Sequence, residues 1–395
     1  MLPLIQNLDI KNKTILLRAD LNVPFAHNKL EDASRITRLL PTLKYLLDAN
    51  AKIIIISHFG RPKGEFKHSM SLAPIAHEIS KLIGVEVKFA NDTIGDIVKN
   101  ASSNLNYGEI LLLENLRFHK EEEANDYAFA KELASLADIY VNDAFSCSHR
   151  SHASIDAITK FLPKAAGLLL QEEVSNLERL FLAPKRPMAA IIGGSKISTK
   201  IDLLHNLIKQ TDIIAIGGAM ANTFLKAKGF NVGTSLIEEE LVELAANIIA
   251  SAKINNVELI LPIDAVTAEN LSSGIKCNIV DADKVPPNQM ILDIGPKTVS
   301  LIIEKLSSVK TLVLNGPVGA FEIKPFDIST ASLARSIATL TNSGQLISVA
   351  GGGDIVSAIT GAGLINSFNY VSTAGGAFLE WLEGKELPGI KALSS

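Results

Sequence analysis

The 395-residue chain carries only two cysteines, Cys147 and Cys277, far apart and outside any CxxC spacing, which excludes a disulfide framework and a clustered zinc site. No apolar run approaches the length of a membrane span, and the first residues lack the basic and apolar stretches of an export signal, so a cytoplasmic protein is expected. Neither sign of charge dominates: 38 Lys and Arg against 42 Asp and Glu leave a net charge of −4. That balance gives no global attraction to nucleic acid or to an anionic membrane, so any anion site must be local. Repeats at solenoid periods and low-complexity linkers are absent. There is no G-x-x-x-x-G-K-[ST] loop, since Gly384-Lys385 lacks both the spacing and the hydroxyl. The dinucleotide signature fails because Gly351 and Gly353 are followed by Val356 where a third glycine or alanine belongs. No G-x-S-x-G elbow is present, which excludes the serine-hydrolase arrangement built on one.

What is present is a globular composition, 47% hydrophobic and 20% charged with mean hydropathy +0.24, in a chain long enough for two domains. Short aliphatic runs at 14–17, 53–56, 85–89, 110–113 and 139–141 alternate with amphipathic segments such as 34–49 and 72–83. The pattern restarts with runs at 188–192, 213–216, 259–261, 312–314 and 346–349. Strands alternating with helices predict parallel sheets covered on both faces. Between the halves, apolar residues at 170, 174, 177, 180 and 181 have helical period, and Pro184 and Pro187 end that helix. The expected fold is therefore α/β, with a first domain over 1–167, a connecting helix over 168–183 and a second domain over 184–371.

The stretch that most invites a ligand is Gln345–Asp354, an apolar run ending in Gly351, Gly352, Gly353 and Asp354. Glycines let an anion reach the main chain, and the next helix N-terminus favours negative charge. Such a turn is either a phosphate site or a plain strand-to-helix connection, and only its neighbours decide. In α/β sheets those neighbours are the residues just past other strands. In the first half these are Arg18–Pro24, Ser57–Pro62, Arg35, Arg117 and His149-Arg150. Arg35, Arg61, Arg117 and Arg150 with His58 are expected to form one anion-binding bowl, with Asp20 and Asn22 available to hydroxyl groups. His27, His68, His77 and His205 read as surface or partly buried rings without metal spacing. In the second half, Ile191–Lys200 reads as strand, glycines and helix start, with Lys196 and Lys200 four apart on one helical face. Gly217-Gly218, Asn315–Gly319 with Glu322, and Gly375-Gly376 follow further strands. A small acidic or phosphorylated substrate and a nucleotide are thereby suggested, and phosphoryl transfer joins them.

These stretches resemble the phosphoglycerate kinase family from end to end. The resemblance rests on Arg18–Pro24, Ser57–Pro62, Glu114–Phe118, Asn142–Phe145, His149–Ser154, Gly193–Lys200, Gly217–Phe224, Leu314–Gly319, Gly351–Asp354, Ser372–Glu380 and Leu382–Lys385. It implies two doubly wound, Rossmann-like parallel-sheet domains facing each other across a hinged cleft. It also implies that residues from about 372 to 395 pack back on the first domain. The activity implied is reversible transfer of the acyl phosphate of 1,3-bisphosphoglycerate to ADP, giving 3-phosphoglycerate and ATP, with Mg²⁺ on the nucleotide and no other cofactor. A cytoplasmic monomer without nucleic-acid or membrane partners is expected.

By matching position, Asp20, Asn22, Arg35, His58, Arg61, Arg117 and Arg150 would hold the phosphoglycerate. Gly194, Lys196, Lys200, Gly217, Gly218, Asn315, Pro317, Glu322, Gly351, Gly352, Gly353, Asp354 and Ile355 would hold the nucleotide, with Asp354 reaching Mg²⁺. Arg35 and Lys200 would flank the migrating group, and the N–H groups at Gly353 and Gly376 would share its charge. The chain departs from the family's usual residues at Ser146-Cys147-Ser148, Phe59, Ala374 and Ile355, none of them a charged group. The alternative is an inactive nucleotide-binding or scaffold protein of the same fold. Its mark would be loss of Arg35, Lys200 or Asp354, and all three are present.

Overall fold

The computed structural model describes residues 2–26, 29–181 and 184–395. His27, and residues 182–183 at the end of the expected connecting helix, lie outside them. The chain divides into two units, residues 1–175 with 386–395, and residues 176–385. Residues 372–385 thus group with the second unit and the last ten with the first.

The first unit is built on strands β1 (Thr14–Arg18), β2 (Lys52–Ile56), β3 (Val87–Ala90), β4 (Ile110–Leu113), β5 (Ile139–Asn142) and β6 (Lys164–Ala166). All pair in parallel, in the order β3-β4-β2-β1-β5-β6. A strand covered on both faces needs apolar residues at every position, and β2, Lys-Ile-Ile-Ile-Ile, is buried from Ile53 to Ile56. Helices Ser34–Asp48 and Ala73–Ile83 pack Leu39, Leu43, Leu46, Ile75 and Ile79 into that core. Removing each such side chain from water contributes roughly 1.5–3 kcal/mol. The order reverses at β1, which has β2 on one side and β5 on the other. In such sheets ligands bind beyond the carboxyl ends at that reversal.

The second unit repeats the plan with β7 (Met188–Ile192), β8 (Ile213–Ile216), β9 (Glu258–Ile260), β13 (Thr311–Asn315), β14 (Ile347–Gly351) and β15 (Tyr370–Ser372), in the order β9-β8-β7-β13-β14-β15. Between β9 and β13 the chain makes an antiparallel sheet of β10 (Asp264–Ala268), β11 (Asn278–Asp281) and β12 (Met290–Ile294), with β10 in the middle. The sequence pattern did not reveal this sheet or β6. β11 is largely exposed, and β6 is only three residues long. The reversal here falls between β7 and β13.

The connecting helix is Leu168–Phe181, and Leu170, Val174, Leu177 and Leu180 are buried as its period predicts. No helix among the described residues is long and apolar enough to cross a membrane.

Candidate functional site

In the first unit, the carboxyl ends of β1, β2, β4 and β5 bring the expected charged residues together. Arg35, on the first turn of its helix, reaches Asp20 beyond β1 with Nη1 2.5 Å from Oδ2, and Ser146 Oγ donates to the same oxygen. Asp20 Oδ1 accepts from the Asn22 N–H at 3.0 Å, and Asn22 Oδ1 accepts from the Gly60 N–H at 3.0 Å. The loops after β1 and β2 are thus joined through Asn22. Arg117 is buried, with Nη1 donating to the Gly60 carbonyl at 2.7 Å and Nε 3.2 Å from a Glu123 oxygen, in line with no acceptor. Asn115 fixes that turn: its Oδ1 accepts from the Phe59 and Arg117 N–H groups, and its Nδ2 donates to the Phe59 and Met70 carbonyls.

The electrostatics of this bowl are those of an anion site. Burial, together with Arg18, Arg117, Arg150 and Arg35, pushes His58 well below the ordinary histidine range, so the ring is neutral. Burial and Arg117 take His152 down to about 3. Asp20, His58 and Cys147 place a carboxylate oxygen, an imidazole nitrogen and a thiol within 4.8 Å of one another, the one such donor trio among the described residues. Guanidinium charges surround it, so it suits an anionic ligand and not a cation. Of the expected group, Arg61 stands apart: its side chain is exposed and without a partner among the described residues. Sequence reading missed Arg18, fully buried at the end of β1, because a strand-terminal arginine looks solvated until its neighbours are known.

In the second unit the glycine turns lock into one another. A Cβ on Gly193 would lie 1.9 Å from the Pro317 carbonyl oxygen, and one on Gly316 would lie 2.3 Å from that of Gly193. Only bare backbone allows the loops after β7 and β13 to close this tightly. The Gly193 N–H donates to the Asn315 carbonyl, and the Gly218 N–H to the Val318 carbonyl. Asn315 is buried; its Oδ1 accepts from the Lys200 ammonium and its Nδ2 donates to the Gly351 carbonyl at 2.6 Å. Gly352, at φ +114°, caps helix Gly353–Gly361, so the first N–H groups of that helix stand free beside the exposed Asp354. Gly375 does the same for helix Gly376–Leu382, whose Phe378 packs where a Cβ on Gly351 would fall, 2.5 Å away.

These turns border a cavity of about 370 Å³ lined by Gly194, Gly218, Pro317, Glu322 and Asp354, all expected, and by apolar residues that were not. Leu236, Leu271, Met290, Leu292, Phe321 and Ile323 are among these, and they offer apolar surface suited to a flat ring. Met290 belongs to β12, in the antiparallel sheet that the sequence pattern did not reveal, which explains its own omission. Two expectations change. Lys196 and Lys200 do not share a helical face: residues 197–199 form a 3-10 turn, Lys196 is extended and exposed, and Lys200 precedes helix Ile201–Gln210. Ser198 causes this by bonding Glu238 through both its N–H and its hydroxyl. The Ile355 side chain is buried in the core, so that residue offers a ligand only its backbone. Burial lowers the pKa of Lys200, against the opposing pull of Glu383 and Asp354.

Asp354 has the chemistry to help hold Mg²⁺. That ion is bound by one or two carboxylates together with phosphate oxygens and waters, and the exposed carboxylate of Asp354 would supply the protein's share.

The chain is similar to proteins of one family along nearly its whole length. A sequence model described as "Phosphoglycerate kinase" matches residues 5–385. A protein named phosphoglycerate kinase from Granulibacter bethesdensis is 50% identical over 389 residues, 98% of each chain. Its namesake from Agrobacterium fabrum is 50% identical over 387 residues, 98% of this chain and 97% of the relative. The solved structure of phosphoglycerate kinase from Coxiella burnetii superposes with a TM-score of 0.92 at 40% identity, covering 100% of this chain and 99% of that one. The enzyme from Pyrococcus horikoshii gives 0.84 at 28% identity, covering 99% and 98%.

Proposed function

The chain belongs to the phosphoglycerate kinase family, and from that premise we propose that it moves the acyl phosphate of 1,3-bisphosphoglycerate to ADP, reversibly. A terminal oxygen of ADP attacks the acyl phosphorus, the bond from phosphorus to the carboxyl oxygen breaks, and 3-phosphoglycerate leaves as a carboxylate beside ATP. A carboxylate leaves without a proton, so no general acid or base is needed; alignment and charge stabilisation are.

The first-unit bowl of Asp20, Asn22, Arg35, His58, Arg61, Arg117 and Arg150 takes the phosphoglycerate. The second-unit cavity takes the nucleotide, its phosphates running past Gly218 and Lys200 toward Gly352 and Gly353. Arg35 and Lys200 are assigned to the migrating group, with the N–H groups of Gly353 and Gly376 sharing its charge. Mg²⁺, carried on the nucleotide and met by Asp354, would neutralise phosphate charge. A cytoplasmic monomer completes the reading.

The observation that supports the nucleotide assignments is the junction of Lys200, Asn315 and Gly351, which ties an ammonium to the strand end from which helix Gly353–Gly361 starts. The test is a coupled assay for ATP formation from ADP, 1,3-bisphosphoglycerate and Mg²⁺. ATP formed in proportion to enzyme, and stopped by chelation of Mg²⁺, supports the reading; no ATP above the enzyme-free rate overturns it.

A further inference from the structure

A buried polar chain runs from the interior of the first unit to its bowl. Glu122 is fully buried; its Oε1 accepts from Ser154 Oγ at 2.6 Å and its Oε2 from the Ser154 N–H at 2.9 Å. Ser154 Oγ in turn accepts from Arg18 Nε at 2.9 Å, while Arg18 Nη1 donates to the Ala19 carbonyl. Arg18 Nη2 then donates to His58 Nδ1 at 3.3 Å. Tyr140 fixes the serine from the other side, donating its hydroxyl to the Ser154 carbonyl at 2.7 Å.

A guanidinium has only donors, so Nδ1 must be the accepting nitrogen, and a neutral ring then carries its proton on Nε2. The second group facing Nδ1 is the Cys147 thiol, with Sγ 3.8 Å away, and a thiol proton there favours the same form. Arg117, Arg150 and Arg35 add positive charge around the ring, and Asp20 lies close by. A buried arginine is costly unless its charge is answered, and Glu122 answers it through Ser154.

We propose that Arg18, held by Ser154 and Glu122, is a positioning residue that fixes His58 as the Nε2–H tautomer and so keeps a neutral donor ready for an acidic ligand. It does this without touching the ligand itself. The claim about the ligand rests on the assignment of the bowl to phosphoglycerate; the claim about the tautomer does not.

Imidazole ¹⁵N spectra of the ligand-free protein test the tautomer directly. The wild type should show the pattern of an Nε2-protonated ring for His58. Arg18→Met should lose it, Arg18→Lys should retain it in part, and Ser154→Ala should give a mixture. The Michaelis constant for 3-phosphoglycerate should rise about tenfold in Arg18→Met with kcat little changed, the loss of one charge-assisted interaction. If Arg18→Met does not fold, Ser154→Ala carries the test, since it removes one hydroxyl. An Nδ1–H ring in the wild type, or a wild-type tautomer in folded Ser154→Ala and Arg18→Met alike, overturns the proposal. A raised KM with the tautomer unchanged also overturns it, because Arg18 would then be only a structural or ligand-binding group. Absence of phosphoglycerate activity in the wild type would sink the bowl assignment while leaving the spectra to decide the tautomer.

Discussion

Lys200 donates from its ammonium to the side-chain oxygen of Asn315, a residue that closes β13 and holds the Gly351 carbonyl with its other end. The lysine is half-buried, so its charge is less screened than on an open surface. Replacing it by alanine should lower kcat about 10²–10³-fold, the usual loss when one preorganised stabilising group is removed. The KM for nucleotide should change far less. Steady-state kinetics separate these: a variant that kept its kcat and lost only nucleotide affinity would remove Lys200 from the transition state.

The glycines divide into two kinds, and alanine substitution distinguishes them. At Gly193 a methyl would sit 1.9 Å from the Pro317 carbonyl oxygen, backbone against backbone, with no flexible end to yield. Gly193→Ala should cost about 1–3 kcal/mol or more in urea unfolding, as overpacking does. At Gly353 an added Cβ would meet no heavy atom within 4 Å beyond its chain neighbours and its own helix backbone, and the residue opens a helix. Gly353→Ala should therefore fold at least as stably as wild type yet turn over more slowly, because the methyl stands where the phosphoryl group is to approach. Full turnover in Gly353→Ala would contradict the role given to that N–H.

Much of this architecture was legible because parallel strands are buried on both faces and so advertise themselves as unbroken aliphatic runs. Ile53–Ile56 and Met188–Ile192 are examples, each buried throughout. The basic and glycine-rich residues then follow by their place after such runs. What was not legible depends on pairing across the fold. Ile279 in β11 is 61% exposed, so its strand has no apolar pattern to read. Lys196 and Lys200 have helical spacing, but a bond from Ser198 to Glu238, 40 residues on, sets the turn between them. Arg18 looks like any surface arginine until Ser154 and Glu122, far along the chain, are seen around it.

Arg117 and Arg61 make opposite predictions about stability and the same one about substrate. Arg117 is buried against the Gly60 carbonyl, and burial, then Arg150, lowers its pKa. Arg117→Glu should raise the KM for 3-phosphoglycerate by at least about tenfold and also destabilise the fold by about 3–5 kcal/mol, since it leaves a buried charge unanswered. Arg61→Ala should raise the same KM with the melting temperature unchanged, its side chain being exposed and unpaired. An unaltered KM in either variant would exclude that residue from the bowl.

Asp143, just beyond β5, is fully buried and accepts the Leu170 N–H at 2.9 Å. Burial raises its carboxyl to about 6, against the opposing hydrogen bonds from Thr42 and the Leu170 and Leu169 N–H groups. The folded state therefore holds this proton more tightly than the unfolded chain, whose ordinary value is 3.8. Its contribution to stability is complete below the unfolded value and is lost as pH rises through about 6. A shift of roughly two units corresponds to about 3 kcal/mol. Asp143→Asn cannot ionise, so the stability difference between wild type and variant should move against the wild type by that order between pH 4 and pH 7. Asp293, raised from 3.8 to about 7 by burial, should show the same sign over a window that starts at the same unfolded value and ends about one unit higher. Urea unfolding at several pH values measures both differences; a wild-type-to-Asn difference that stays flat across this range would mean that the two carboxyls ionise alike in the folded and unfolded chains.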